Sequence, residues 1–187
     1  SNYTTHLYSG IGESYGVETN IGYTTSSLDL QLNYTLSRSL RQFEEINGGN
    51  PYPAHSDRRH NLSLLISWRP SPRWTLAATF VYTTGAPYTA TRGIYISGNN
   101  FLKEYGLYNG GKLPDMHHLD LSATYWFKRS RDKHSGINIS IYNVYAHKNP
   151  LMISWSINID ENKTIHIKEH LHTVYTIIPS ISWIFKF

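Results

Sequence analysis

Residues 28–37 read Leu28-Asp29-Leu30-Gln31-Leu32-Asn33-Tyr34-Thr35-Leu36-Ser37, so apolar and polar residues alternate without a break. Successive side chains of a β-strand point to opposite faces, which would place the leucines and the tyrosine on one face and the polar residues on the other. A helix would mix the two sets around its circumference, because its side chains repeat about every 3.6 residues. The stretch therefore predicts a strand with one apolar face and one polar face.

The same alternation recurs along most of the chain, whereas a helical period is hard to find. Five further stretches carry it clearly and residues 15–23 carry it more weakly, which makes seven predicted strands. Within the stretch 137–145 the pattern breaks at Asn143, where we expect a β-bulge. The fold class is therefore predicted as all-β. The five clear stretches are residues 60–69, 74–83, 119–127, 137–145 and 175–187.

The connections between the predicted strands alternate between short and long. A hairpin-compatible connection follows every strand, so we expect one antiparallel sheet in which sequential strands are neighbours. All long loops then lie at one end of the sheet, which is typical of outer-membrane β-barrels. The third long connection should contain a hairpin of its own, formed by residues 152–159 and 163–170. The short connections are residues 24–27, 70–73 and 129–135, and the long ones are residues 39–58, 87–114 and 146–173.

The alternation also predicts which side chains face lipid and which face the barrel lumen. A slip of register by one residue would move a whole strand's side chains to the wrong face, so the two sets can be tested. The lipid-facing set is Leu30, Leu32, Leu64, Ile66, Leu76, Phe80, Leu121, Ile139 and Ile181, and the lumen-facing set is Gln31, Asn33, Ser63, Thr79, Ser122, Asn138 and Ser180.

Aromatic residues gather at both ends of the predicted strands, as in the two girdles of a transmembrane barrel. The path from Trp74 to Tyr82 is about 26 Å long at the strand rise of about 3.3 Å per residue. Tilted by about 40°, that length covers an apolar band of roughly 20 Å. The girdle beside the short turns comprises Trp68, Trp74, Tyr125, Phe127, Trp183, Phe185 and Phe187, and the girdle beside the long loops comprises Tyr34, Tyr82, Tyr145 and Tyr175.

Composition fits a barrel wall better than a globular domain. Charged residues make up 16% of the chain and aromatic residues 14%, cysteine is absent, and the mean hydropathy of -0.42 is polar. A transmembrane helix needs about 20 consecutive apolar residues, and the sequence has no such run. The net charge of +4 is scattered, and we do not interpret its densest group, Lys128-Arg129-Ser130-Arg131, as a nucleic-acid site. A soluble β-sandwich stays open as an alternative, because alternation alone does not exclude it.

The predicted strand number implies that further strands precede the chain. Single-chain bacterial barrels have even strand numbers from about eight upward, so seven strands cannot close one. An open sheet edge in lipid would leave backbone N–H and C=O groups unpaired at a high cost in free energy. If Phe187 ends in the periplasm, the first strand would begin outside the cell. We therefore expect upstream strands, and the start of the chain has no signal-peptide features.

Five sequence segments carry a further signal, and in order and spacing they cover about residues 12–187. They are Ser56-Asp57-Arg58-Arg59-His60-Asn61-Leu62, Thr84-Gly85-Ala86-Pro87-Tyr88-Thr89, Leu113-Pro114-Asp115-Met116-His117-His118-Leu119-Asp120-Leu121-Ser122, Ile141-Tyr142-Asn143-Val144-Tyr145-Ala146-His147-Lys148-Asn149-Pro150 and Pro179-Ser180-Ile181-Ser182-Trp183-Ile184-Phe185-Lys186-Phe187. In order and spacing these segments resemble the last third of the barrel of TonB-dependent transporters of Bacteroidota-type bacteria. In that family an arginine usually stands at the position of His118.

The resemblance implies an antiparallel transmembrane β-barrel of about 22 strands closed around an N-terminal plug, in the outer membrane of a Gram-negative bacterium. Residues 1–187 would be a C-terminal segment of the barrel domain, and the plug would lie upstream of this chain. The implied function is import of a scarce nutrient with energy from the TonB complex, without a cofactor. The implied partners are outer-membrane lipid, the upstream strands and plug, the TonB complex and, as a further candidate, a surface lipoprotein.

Two groups of residues raise the question of chemistry beyond transport. His166, His170 and His172 would point to one side of a strand and could hold a transition metal or haem, but we favour the polar face of an extracellular hairpin. The segment from Asp115 to Asp120 contains a carboxylate–histidine set that a hydrolase could use. We favour a structural hydrogen-bonded pair in the lumen there. The chain is therefore not predicted to be an enzyme, and an outer-membrane hydrolase and a soluble binding module are the alternatives.

Candidate contacts for a substrate lie in the long loops. Tyr52, Tyr88 and Tyr95 lie in loops rich in glycine and asparagine and could stack on a ligand, with packing between loops as the alternative. Arg58 could steer an anionic substrate, although a strand start above the membrane is an ordinary place for a charge. Phe187, the final aromatic of an alternating strand, resembles the signal that the outer-membrane assembly machinery reads.

Overall fold

The computed structural model describes residues 8–97, 100–129, 134–159, 165–174 and 176–186. Within these ranges the regular structure consists of strands and one short 3-10 turn at Asn47–Gly49. No helix in the same ranges is long and apolar enough to cross a membrane. The strands are β1 (Gly10–Thr24), β2 (Leu28–Phe43), β3 (Tyr52–Pro53), β4 (His60–Ser71), β5 (Trp74–Thr83), β6 (Pro87–Tyr88), β7 (Thr91–Ser97), β8 (Asn100–Tyr105), β9 (Gly111–Lys112), β10 (Met116–Arg129), β11 (His134–Tyr142), β12 (Pro150–Ile159), β13 (Ile165–Thr173) and β14 (Ile178–Lys186).

Seven long strands form one antiparallel sheet in the order β1-β2-β4-β5-β10-β11-β14, and the short β3 is attached to β2. Each neighbour on this path is the next long strand in the chain, so the predicted antiparallel sheet of sequential strands is confirmed. The path ends at β1 and at β14, so the sheet is an unclosed part of a barrel wall within the described ranges. The short turns account for three of the six neighbour pairs, β1-β2, β4-β5 and β10-β11, because they leave no room for another strand.

The turn between β1 and β2 shows how a short connection is held. The backbone N–H of Thr25 donates to the carbonyl oxygen of Leu28 at 2.7 Å. The Thr25 hydroxyl in turn accepts the backbone N–H of Leu28 at 2.9 Å. Thr25 therefore provides a hydrogen-bond partner for both the backbone N–H and the carbonyl oxygen of Leu28, which allows the chain to reverse within a few residues.

One register runs through the whole sheet and separates an apolar face from a polar face. Leu30 lies opposite Ile66, and the row continues through Ala78, Leu121 and Ile141 on the next three strands. Directly opposite residues share a face, so every member of the predicted lipid-facing set lies on the apolar face. Every member of the predicted lumen-facing set lies on the polar face. The predicted division of the two sets is confirmed.

Side-chain exposure excludes the soluble sandwich for this sheet. Ile181, Ile139 and Leu121 are 72%, 55% and 41% exposed, although a sandwich would bury them against a second sheet. The remaining six residues of the set are half-buried by their own neighbours. An uncovered apolar face of this extent needs an apolar environment, because its exposure to water is unfavourable.

Four residues of the predicted girdle beside the short turns form a row of rings on the apolar face. Trp74 and Tyr125 are 5.1 Å apart between ring centroids, and Tyr125 and Phe127 are 5.4 Å apart. Phe127 and Trp183 continue the row at 6.4 Å. Phe187 lies outside the described residues.

The irregularity predicted at Asn143 is present, and it ends the strand: the backbone N–H of Val144 donates to the carbonyl oxygen of Leu119 at 2.8 Å, one residue out of the register that pairs Ile141 with Leu121. Strand β11 ends at Tyr142, and Asn143 has a φ of 52°, a left-handed conformation that ends a strand and that asparagine tolerates better than most residues. A further bulge in this hairpin lies on β10, between Trp126 and Lys128, where the register with β11 shifts by one residue.

The long connections carry small sheets of their own. The hairpin predicted in the third connection is confirmed as β12 paired with β13. The second connection contains a hairpin of β7 and β8, together with the short pair of β6 and β9. The sequence pattern did not predict these, although Gly98-Asn99 between β7 and β8 has the composition of a two-residue hairpin turn.

Candidate functional site

Three long loops lie at one end of the sheet and form its rim. We name them loop 1 (residues 44–59), loop 2 (residues 84–115) and loop 3 (residues 143–177), after the strands that they connect. Anything that enters the space bounded by the polar face from this end must pass the loops. The rim is therefore the candidate functional site.

Loops 1 and 2 are clamped together by amide hydrogen bonds. The side chain of Asn47 donates to the carbonyl oxygen of Tyr108 at 3.0 Å and accepts the backbone N–H of Tyr108 at 2.7 Å. Asn109, which is almost fully buried, donates from Nδ2 to the carbonyl oxygen of Pro53 at 2.9 Å. The ring of Tyr52 packs edge-on against Tyr108 at 5.2 Å. The two loops therefore form one packed unit over this part of the rim.

The base of loop 2 is closed by Asp115. Its carboxylate accepts the Tyr82 hydroxyl at 2.6 Å, the backbone N–H of Gly85 at 2.9 Å and the ammonium of Lys112 at 2.9 Å. The hydrogen bond from Tyr82, followed by those from Gly85 and Lys112, lowers the pKa of Asp115 from 3.8 to about 2. The backbone N–H of Leu113 also donates to the carbonyl oxygen of Ala86 at 2.8 Å. The first and last residues of the loop are thus tied to each other.

Replacing Asp115 by asparagine should loosen this closure. The side-chain amide of asparagine lacks the negative charge that Tyr82, Gly85 and Lys112 share in the parent protein. One carboxylate oxygen is also replaced by an NH2 group, which can donate a hydrogen bond but cannot accept one. We expect a loss of about 1 kcal/mol in the free energy of unfolding, because the carboxylate is partly exposed and solvent screens it. The measurement is urea unfolding of the full-length protein in lipid at neutral pH.

The same variant has a defined pH signature. The pKa of Asp115 is lowered in the folded protein, so its stabilisation is present above pH 3.8 and is lost as the pH falls toward about 2. The Asp115→Asn variant should lack that part of the acid destabilisation. Glu104→Gln, which removes an exposed carboxylate of the same loop, serves as the control and should unfold like the parent protein. Equal stability of parent and Asp115→Asn protein at neutral pH would contradict the assignment.

The base of loop 3 is organised by two buried asparagines. Asn143 is fully buried; its side chain donates to the carbonyl oxygen of His147 at 2.8 Å and accepts the backbone N–H of His147 at 3.0 Å. The backbone N–H of Asn143 donates to Asp120 at 2.9 Å. Asn149, which is 1% exposed, accepts the backbone N–H of His117 at 2.8 Å. The start of loop 3 is thereby fastened to β10 at two points.

Tyrosine hydroxyls mark the loop end of the apolar face, where the outer girdle was predicted. The hydroxyl of Tyr34 lies 2.9 Å from Nδ1 of His60, and that of Tyr145 lies 2.8 Å from Nδ1 of His117. The hydroxyl of Tyr82 donates to Asp115, as described above. Each ring therefore combines an apolar body with a partnered polar end, as membrane-interface tyrosines do. Tyr175 lies outside the described residues.

Loops 2 and 3 meet through Tyr88. Its hydroxyl donates to Glu169 at 3.2 Å, and its ring lies 6.5 Å from that of Trp155. Burial, followed by the charge of Glu169, raises the pKa of Tyr88. The ammonium of Lys103 lies 6.0 Å from the Trp155 ring centroid. Tyr88 is thus a contact between loops.

The other predicted loop residues have different surroundings. Tyr52 is 5% exposed, which fits the alternative of packing between loops. Tyr95 is 55% exposed on β7 and offers a free ring surface. Arg58 donates to the carbonyl oxygens of His55 and Asp57, both at 3.1 Å. It lines a groove of about 440 Å³ together with five serine and threonine residues and the charged residues Glu18, Arg38 and Asp57.

His170 and His172 of β13 are each hydrogen-bonded to a serine. Nε2 of His170 lies 2.7 Å from the Ser156 hydroxyl, and Nε2 of His172 lies 2.7 Å from the Ser154 hydroxyl. The side chain of His166 lies outside the described residues. Among the residues that the structure describes, no group of three or more metal-ligating side chains is assembled. The arrangement fits the polar face of a hairpin.

The carboxylate–histidine set around β10 is divided between the two faces. Asp115 and His117 lie at the loop end of the apolar face, whereas His118 and Asp120 lie on the polar face, 3.5 Å apart. A polar pair therefore forms where the resembling family has an arginine. The set is not brought together around one reacting atom.

Two rim residues that the sequence did not single out are asparagines in a left-handed conformation. Asn47 and Asn109 have φ values of 53° and 54°. A signal was present for both, because each stands before a Gly-Gly pair, as in Asn47-Gly48-Gly49 and Asn109-Gly110-Gly111. The hydrogen bonds of Asn47 and Asn109 between loops 1 and 2 have no signature in the local sequence.

The family comparison agrees with this geometry. The chain matches a family model described as TonB dependent receptor-like, beta-barrel, over residues 1–144. No curated protein and no solved structure matches the chain. The match covers most of the chain and reaches from the first described strand to the start of loop 3. The protein therefore belongs to the TonB-dependent receptor family, and its sheet is part of that family's β-barrel.

Proposed function

We propose that this chain forms part of the wall of an outer-membrane transporter that imports a scarce nutrient with energy delivered by the TonB complex. Its family consists of TonB-coupled outer-membrane transporters and not of enzymes. The observation that carries the proposal is the single register that gives the sheet one apolar and one polar face, with packed loops at one end. Such a wall separates lipid from a wet interior.

The polar face has the chemistry of a wet lumen. The side chain of Asn138 donates to the Thr124 hydroxyl at 2.8 Å, and Arg69 forms an ion pair with Asp29. A row of small residues crosses five strands at Ser67, Ala77, Ser122, Ser140 and Ser180. These groups can exchange hydrogen bonds with water, with a plug or with a passing solute.

The proposed partners follow from this arrangement. Lipid would cover the apolar face, and further barrel strands would pair with the free edges of β1 and β14. In this proposal residues 1–187 are a C-terminal segment of the barrel domain, and the plug and the segment that contacts the TonB complex lie outside this chain. A surface lipoprotein that contacts the loops is a further candidate partner. The location would be the outer membrane of a Gram-negative bacterium.

Uptake by the full-length protein tests the proposal. A strain that lacks the protein should deplete at least one component of a defined medium more slowly than the parent strain. Restoring the full-length protein should restore depletion only in cells with an active TonB complex. Unchanged depletion of every component, in cells where the protein is present in the outer membrane, would contradict an import function.

We propose that the exposed ring of Tyr95 contacts the substrate. Replacing it by alanine should weaken the apparent affinity for the component found in the uptake experiment by about tenfold, because an aromatic contact surface is lost. The amount of protein in the outer membrane should stay the same. Tyr52→Ala is the matched variant, and its main effect should be on folded stability, because Tyr52 is buried against Tyr108. Unchanged uptake by Tyr95→Ala would remove this residue from the substrate path. Arg58 and Tyr88 can be tested in the same assay.

We also propose that Phe187 takes part in assembly. The strand that precedes it presents Ile181, Trp183 and Phe185 on its apolar face and has a free backbone edge, which an accepting sheet can pair with. Deleting Phe187 from the full-length protein should lower the outer-membrane yield without changing substrate affinity in the molecules that assemble. Equal surface levels after the deletion would leave Phe187 with a role in the girdle alone.

A further inference from the structure

Two imidazoles are stacked where loop 3 leaves the sheet. His117, the second residue of β10, and His147, in loop 3, have ring centroids 3.6 Å apart and ring planes inclined by 22°. The Tyr145 hydroxyl lies 2.8 Å from Nδ1 of His117. Burial, followed by the charge of Asp120, raises the pKa of Tyr145, so the phenol stays protonated and can donate to an unprotonated Nδ1. The geometry suits a neutral pair.

The groups around the pair do not supply a free counter-charge. Asp115 is close enough to act on His117, but its carboxylate is already shared among Tyr82, Gly85 and Lys112. Nε2 of His147 is buried and has no hydrogen-bond partner among the described residues. Asp115 of loop 2 and His118 of β10 act electrostatically on His117, Tyr82 of β5 lies opposite His117 in the register, and Asp120 of β10 acts on Tyr145 of loop 3.

Protonation of His117 is therefore unfavourable while the rings remain stacked. Burial, followed by the second imidazole at 3.6 Å, lowers the pKa of His117. If loop 3 moves away from β10, both rings regain water and the repulsion disappears. Protons then bind the open arrangement more tightly than the closed one, and acid shifts the equilibrium toward the open arrangement.

We propose that the His117–His147 stack is an acid-sensitive latch, which holds the base of loop 3 against the barrel wall at neutral pH and releases it in acid. The latch goes beyond the import function, since it concerns access past the rim and not the identity of the substrate. Loop 3 carries the β12–β13 hairpin, which contacts loop 2 through Glu169 and Tyr88. Release at its base would therefore loosen the cover over this side of the rim.

Hydrogen–deuterium exchange of the full-length protein in lipid nanodiscs tests the latch. Rates are measured at about pH 7.5 and about pH 5, the range in which histidine changes charge, and are corrected for the intrinsic effect of pH. Amides of residues 143–149 should exchange about tenfold faster in acid, as expected from like charges at this separation. Loop 1, which has no part in the stack, is the internal reference. No acid-dependent change in residues 143–149 would overturn the proposal.

Substitutions distinguish the latch from a general effect of acid on loop 3. His147→Phe keeps a stacking ring but has no proton to bind, and the backbone bonds of residue 147 to Asn143 remain, so the acid response should disappear. His172→Phe removes an imidazole of the same loop outside the stack and should retain the response. If His147→Phe does not assemble, His147→Gln makes the same test with a smaller neutral side chain. An acid response that survives in the assembled variant would overturn the proposal.

Discussion

Replacing Gly85 by alanine should remove most of the folded transporter from the outer membrane. A Cβ atom at this position would lie 1.7 Å from the carbonyl oxygen and 2.5 Å from the carbonyl carbon of Leu113. Both are backbone atoms of the segment that closes loop 2, and rotation of a side chain cannot relieve the contact. Separation of the two segments would also break the hydrogen bond from Gly85 to Asp115. We expect a loss of more than about 3 kcal/mol, the upper end of ordinary overpacking.

The matched control is Gly22→Ala. Gly22 lies in β1, and a Cβ atom there would meet nothing within 4 Å. Its replacement should change the free energy of unfolding by no more than about 0.5 kcal/mol, as at ordinary surface positions. Outer-membrane yield and urea unfolding of the full-length protein give both comparisons. If Gly85→Ala assembles and unfolds like Gly22→Ala, the closure of loop 2 is not as tight as the structure has it.

Replacing Leu121 by lysine should have the second largest effect. Leu121 is 41% exposed on the apolar face, in the row of Leu30, Ile66, Ala78 and Ile141, which lies between the two ends marked by aromatic residues. A lysine at the lipid-facing midplane of a barrel costs about 2 to 4 kcal/mol. The full-length variant, folded into liposomes, should therefore be less stable than the parent protein by about this amount.

Ser122→Lys is the control for the charge itself. Ser122 is the next residue of β10 and points to the polar face, opposite Ala77 and Ser140. The same charge would then stand in the wet lumen and should affect insertion much less. Equal losses from the two lysines would contradict the division of the sheet into a lipid face and a lumen face. A larger loss from Ser122→Lys would reverse it.

The strands were predictable because a period of two residues is a local property. Each long strand buries or exposes its side chains by alternation alone, so Leu28–Phe43 and Trp74–Thr83 carry their own evidence of face and register. The short turns made three of the six neighbour pairs predictable, β1-β2, β4-β5 and β10-β11. The hairpin within loop 3 was predictable for the same reason. The end of β11 was not, because the conformation of Asn143 depends on Asp120 and His147, which lie at a distance in the sequence or outside the strand.

The rim was only partly predictable. Arg58, Tyr52, Tyr88 and Tyr95 are alike in the sequence as polar or aromatic loop residues, yet their surroundings range from a buried ring to an exposed one. The exposure of each side chain depends on which loop lies beside it. Asn47 contacts Tyr108, and Tyr88 contacts Glu169, across wide separations in the chain that no local pattern records.

By itself the sequence determined that this protein is an antiparallel wall with an apolar and a polar face, with its long loops at one end. Alternation and turn length are sufficient for that, because both act between residues that are close in the chain. Only the tertiary structure decided how the rim is closed. The closing contacts are the hydrogen bond from Gly85 to Asp115, the hydrogen bond from Asn143 to Asp120 and the stack of His117 on His147. These contacts join segments that the strands bring together, so their energies depend on geometry that exists only once the sheet has formed.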